Sequence, residues 1–167
     1  MDLQAAADGV DIGDDDSATA ILRHDHQAMR KAFAKYRELM NDAAPQRAAL
    51  AQDVCMQFEL HFSVTREIFY PAMDFAHAPL VQELVDAQED LQECIDTLRD
   101  AQSLPESELD STMVRLMELA DLYICRERQL LAAANDYART NLHELGARMI
   151  ERREKIAGAV KDLEGRS

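Results

Sequence analysis

Residues 22–40 read LRHDHQAMRKAFAKYRELM, and their spacing decides the fold. Core-type side chains fall at Leu22, His26, Met29, Phe33, Tyr36 and Met40. Those alternating steps of four and three trace one stripe along an α-helix. Upstream, Asp14, Asp15, Asp16 and Ser17 supply an N-cap and negative charge for the helix start. The helix is expected from Ser17 to about Asn41, and His26 is its one polar intruder.

The same period continues outward from this helix. A second helix is expected from about Gln46 to Tyr70, with Val54, Phe58, His61, Thr65 and Ile68 inward. Pro71 should end it, and a loop should follow to Pro79. A third helix, about Pro79 to Ala101, turns Leu84, Ala87, Leu91, Cys94 and Leu98 inward. Ser103 to Glu106 form a turn, with Pro105 suited to a first helical position. The fourth helix runs to about Asn135 on Leu109, Met113, Leu116, Ala120, Tyr123, Glu127 and Leu130. A last one, about Asn141 to Glu164, carries Leu142, Leu145, Met149, Ile156, Val160 and Leu163, and Gly165 stops it. With no strand alternation and short connections, the expectation is an all-α, up-down-up-down four-helix bundle with an additional C-terminal helix. Residues 1–16 are acidic and aperiodic and read as a flexible leader to a domain spanning 17–167.

Composition agrees and excludes several partners. Of 167 residues, 47% are hydrophobic, with only 5 glycines and 4 prolines. That balance suits one helical domain with a real core. The 32 acidic and 18 basic residues give a net charge of -14, which repels nucleic acid and anionic membrane surfaces. Cys55, Cys94 and Cys125 are odd in number and widely spaced, so a reducing, cytoplasmic setting is expected. Neither a signal peptide nor a membrane-length apolar run stands out.

The informative positions are polar ones on apolar stripes. These are His26, His61, Thr65, Tyr123 and Glu127, with Asp90 on the third helix between Ala87 and Cys94. His61 with Thr65, and Tyr123 with Glu127, are four residues apart, about 40° around a helix and roughly 6 Å along it. Pairs of that kind on facing helices can converge inside a bundle, as carboxylate-bridged metal sites do. Glu67 lies about 240° from His61 and points elsewhere. His24, His77 and His143 read as surface, loop and helix-start residues, and the cysteines as core fillers.

Several segments resemble the hemerythrin-type, HHE cation-binding family. They are ILRHDHQAMRKAF (21–33), HFSVTREIFYPAM (61–73), AQEDLQECIDTL (87–98), LMELADLYICRERQLL (116–131) and ELGARMIERREKI (144–156). The resemblance covers about residues 17–156. It implies a bundle whose ligands are a His on helix one, HxxxE on helix two, a His on helix three and HxxxE on helix four. On those positions stand His26, His61 and Thr65, Asp90, then Tyr123 and Glu127. Three expected ligands are kept and three replaced. A register one residue away would put Leu122 and Arg126 on helix four's ligand positions instead.

Two functional readings follow. In the first, His26, His61, Glu127, Asp90 and Tyr123 hold one non-heme metal, iron before zinc or manganese, for sensing, storage or handling of iron, oxygen or nitric oxide. One metal is favoured because Thr65 removes a bridging carboxylate. In the second, no metal binds, and the bundle is a degenerate interaction or regulatory module, acting on a protein partner or as a homodimer. No nucleophile–base pair is visible, so turnover chemistry is not expected.

Overall fold

A computed structural model describes residues 16–41, 44–134 and 139–166. Residues 1–15 of the acidic leader, and Asn135, where the fourth helix was expected to end, lie outside them. Among the described residues every regular element is helical. They are α1 (Ala18–Leu39), α2 (Ala44–Val64), α3 (Tyr70–Leu98), α4 (Glu106–Ala134) and α5 (Arg139–Glu164). The chain is a helical bundle with an added C-terminal helix, as its periodicity implied. At the start of α1, Ser17 is extended and its hydroxyl accepts from the Ala20 N–H at 3.2 Å. That bond satisfies one of the helix's orphan donors.

The segment after α2 departs from expectation. Instead of a loop over 71–79, Val64 leads into a π-helical turn, Thr65–Phe69, which runs directly into α3. Pro71 lies in the first turn of α3, where a missing N–H costs little. The turn before it is widened, with the Tyr70 N–H reaching back to the Thr65 carbonyl. Pro79 sits inside α3, and the backbone leaves helical geometry at His77 (φ -136, ψ 35). A proline inside a helix removes one hydrogen bond and crowds the preceding turn. The two prolines therefore mark a π turn and a kink, and the helix continues through both.

The core is built largely from the expected stripes, with Ile95 added on α3 and Ala87 only half-buried. Leu22, Met29, Phe33 and Tyr36 of α1 meet Val54 and Phe58 of α2, Leu84, Leu91, Ile95 and Leu98 of α3, and Leu109, Met113, Leu116 and Leu130 of α4, all buried. Helix α1 packs on α2, and α3 on α4, while α5 lies against α1, α2 and the π turn. Leu142, Leu145 and Met149 anchor α5. Its distal half does not continue the contact, for Ile156 is half-buried and Val160 and Leu163 are exposed. A Cβ on Gly146 would lie 1.9 Å from the Asp16 carbonyl oxygen, so α5 crosses the start of α1 at a distance only glycine permits.

Candidate metal centre

His26 from α1, His61 from the end of α2 and Glu127 from α4 meet in the buried interior, at 4%, 0% and 0% exposure. Glu127 Oε1 lies 2.8 Å from His26 Nε2 and 2.7 Å from His61 Nε2. Each residue offers one ligand atom, and the three atoms lie within 4.8 Å of one another. Tyr123, one turn before Glu127, donates its hydroxyl to Glu127 Oε2 at 2.5 Å and lies 3.0 Å from His61 Nε2. Leu122 and Arg126 are exposed, so the one-residue shift of helix four does not occur.

The remaining expectations fare differently. Asp90 does not join the cluster, because it is exposed on α3. The residue that turns inward is Gln88, fully buried and about 200° away around the helix. Its Nε2 lies 2.9 Å from the Tyr123 hydroxyl, 3.2 Å from that of Tyr70 and 3.0 Å from Thr65 Oγ1. Arg66 Nε donates to Gln88 Oε1 at 2.5 Å, which fixes the amide's orientation. Thr65 is buried but its hydroxyl bonds back to the carbonyls of His61 (2.8 Å) and Phe62 (3.2 Å). That is the usual way a threonine satisfies itself within a helix. Glu67 is exposed, as its phase implied, and its carboxylate takes Arg152 Nε at 2.7 Å.

Besides Gln88, two further residues of the site escaped the sequence. Tyr70, just past the π turn, donates to Glu127 Oε2 through a very short contact, and its oxygen is 2.7 Å from that of Tyr123. Asp25 Oδ2 lies 2.7 Å from His61 Nδ1. Asp25 is itself gripped by Arg153 of α5, whose Nη1 donates to Oδ1 at 2.8 Å and whose Nη2 contacts Oδ2. The only sequence cue for Asp25 was its place beside His26.

The electrostatics follow from the packing. Burial alone would raise the Glu127 carboxyl, but the His61 charge and the hydrogen bonds from both histidines outweigh it and hold the group far below the usual range. Burial would lower His61, yet Glu127 and Asp25 together lift it to about 9. Asp25 ends below its ordinary value because His61 and Arg153 overcome its own desolvation. Burial, then Glu127, push Tyr70 and Tyr123 well above 10, so both phenols remain neutral donors. Without a metal, a proton on His61 lets its two nitrogens face Asp25 and Glu127 at once, while His26 makes its own hydrogen bond to Glu127.

Two imidazoles and one carboxylate are a donor set that non-heme iron accepts. An ion about 2.1 Å from each donor wants neighbouring donors roughly 3 Å apart; the two nitrogen-to-carboxylate spacings are 2.7 and 2.8 Å, and all three atoms lie within 4.8 Å of one another. The donor set therefore fits a metal ion. A helical bundle with such a cluster in its core defines a class of metal-binding proteins. The hemerythrin HHE cation-binding domain model matches residues 17–134, and the chain belongs to that family, whose domains bind metal ions, often iron. No match was found among curated proteins or among solved structures. Among the described residues, no helix is long and apolar enough to cross a membrane.

Proposed function

We propose that the protein binds a single non-heme metal ion, iron before zinc or manganese, through His26, His61 and Glu127. In this reading it serves to sense, store or handle iron, oxygen or nitric oxide, as a sensor or store more than as a turnover enzyme. The observation that carries it is the approach of two imidazole Nε2 atoms to one buried carboxylate oxygen, Glu127 Oε1. In the metal-free fold protons on the imidazoles join these atoms, and a metal ion can take the place of such protons. A single ion is favoured because the other carboxylate oxygen, Oε2, is occupied by Tyr70 and Tyr123. Tyr123 and Gln88 are then hydrogen-bonding partners around the ligands.

A second reading has its own support. The cluster's polar groups already bond to one another, which a metal-free regulatory bundle would also require. Titration of the metal-free protein with ferrous iron under nitrogen, and with zinc, separates the two. The metal-binding reading expects one ion per chain and a rise in melting temperature, both lost in Glu127→Gln. Uptake below about a tenth of an ion per chain, without stabilisation, would establish the metal-free module.

A further inference from the structure

We propose that Arg153, on the helix beyond the matched family segment, is a positioning residue for His61, acting through Asp25 and so tying the seating of α5 to metal affinity. The link to metal rests on the binding reading above; the positioning of His61 does not. Three contacts in series make the connection. Arg153 holds both oxygens of Asp25, Asp25 Oδ2 lies 2.7 Å from His61 Nδ1, and His61 Nε2 lies 2.7 Å from Glu127 Oε1.

Each link restricts the next. A guanidinium that takes both oxygens of a carboxylate fixes its plane as well as its position. A carboxylate so fixed can accept from Nδ1–H in only one ring orientation, which turns Nε2 to the opposite side, toward Glu127 and His26. A histidine ligand whose other nitrogen is held by a carboxylate is thereby set in tautomer and direction. Lysine in place of Arg153 would offer a point charge with no matching fork.

The arginine reaches Asp25 only because α5 is seated. Leu142, Leu145 and Met149 are buried, and Gly146 lies against the Asp16 carbonyl. One residue earlier, Arg152 makes a separate, exposed ion pair with Glu67 of the π turn, at 2.7 and 3.2 Å. That pair does not touch a proposed ligand and serves as an internal control. Because coupling between sites is reciprocal, a metal that tightens His61 must also favour the seated α5.

The test compares wild type with Arg153→Gln, Arg153→Lys and Arg152→Gln. In metal-free protein, the His61 Nδ1–H proton should give a downfield, slowly exchanging NMR signal in wild type and in Arg152→Gln. The signal should vanish in Arg153→Gln. Zinc affinity, by competition with a chromophoric chelator, should fall about 10–100-fold in Arg153→Gln. Arg153→Lys should fall between, and Arg152→Gln should stay within about twofold, as an exposed pair contributes little. An Nδ1–H signal that persists in Arg153→Gln overturns the proposal. So does unchanged zinc affinity in a variant that merely melts earlier. A wild type that takes up neither zinc nor ferrous iron, with the NMR signals behaving as described, would remove the metal reading and leave the positioning of His61 standing.

Discussion

Two of the buried polar clusters among the described residues solve the cost of burial differently. At one, Arg47 of α2 sends Nη1 to the carbonyls of Leu39 and Met40 at the end of α1, each at 3.2 Å. Its Nε faces Asp110 Oδ1 at 3.2 Å, and Tyr36 donates to the same oxygen at 2.7 Å. There donors face acceptors, a cation meets the negative end of a helix, and Asp110 still reaches solvent. At the other cluster, His26, His61 and Glu127 bring three potential metal donors together, with both imidazole Nε2 atoms on one carboxylate oxygen. The first cluster is a closed ion pair. The second is closed by a proton that a metal ion can replace, and this difference separates a structural site from a binding one.

Exchanging the lesions should break that comparison most sharply. His61→Ala is expected to weaken iron or zinc binding by more than about 100-fold, beyond the loss typical of outer partners. Arg47→Met should leave affinity untouched while lowering unfolding free energy by about 2 kcal/mol. That is less than the 3–5 kcal/mol of a fully buried broken pair, because Asp110 keeps contact with water. Metal titration and denaturant unfolding on both variants provide the check. Arg47→Met binding metal as poorly as His61→Ala would show that the clusters are not separate devices.

A pH series should sharpen the contrast with a smaller effect. His61 is raised from 6.5 to about 9 in the metal-free fold. Its contribution is therefore complete below pH 6.5 and is lost as pH climbs through about 9. Glu127 is depressed from 4.5, so its contribution is present above that pH and is lost only on strong acidification. The metal-free protein should thus melt at progressively lower temperature from pH 6.5 to 9, and His61→Asn should flatten the slope. Metal affinity should rise over the same interval, since binding displaces a proton. A flat melting profile in wild type would contradict the proton on His61.

The two clusters also differ in how far the sequence could reveal them. The stripe through Leu22, His26, Met29, Phe33 and Tyr36 fixed the phase of α1, and the stripes of α2 and α4 brought His61, Tyr123 and Glu127 inward with it. Phase counting works only along an unbroken helix. Tyr70 is nine residues after His61, about 180° away on a regular α-helix. The π turn takes up one residue, bringing Tyr70 to roughly 80° and into the site. On α3, Gln88 lies four residues after Leu84 and three before Leu91, within reach of the expected stripe, but the resemblance's helix-three ligand position falls on Asp90, which is exposed. Asp25 is off the stripe of α1, and its role needs α5 seated beside it. Arg47 offers no cue at all, being a charged residue near a helix start that only the packed fold buries.

The smallest expected effect concerns two tyrosines, one in each cluster. Tyr36→Phe removes the only hydroxyl shown donating to Asp110, and Tyr123→Phe removes one of two reaching Glu127 Oε2. A typical buried hydrogen bond contributes about 1 kcal/mol. Tyr36→Phe should lose about that much, since Arg47 still faces Asp110. Tyr123→Phe should lose no more, because Tyr70 still serves Glu127 and Gln88 keeps Thr65 and Tyr70 as acceptors. Ferric loading adds a readout that stability cannot give. If Tyr123 stays a neutral donor to the carboxylate, the loaded protein lacks a phenolate-to-iron absorption band and Tyr123→Phe leaves the spectrum unchanged. A visible band that disappears in Tyr123→Phe would make the phenol a ligand, and the binding cluster would then hold its metal through four residues, not three.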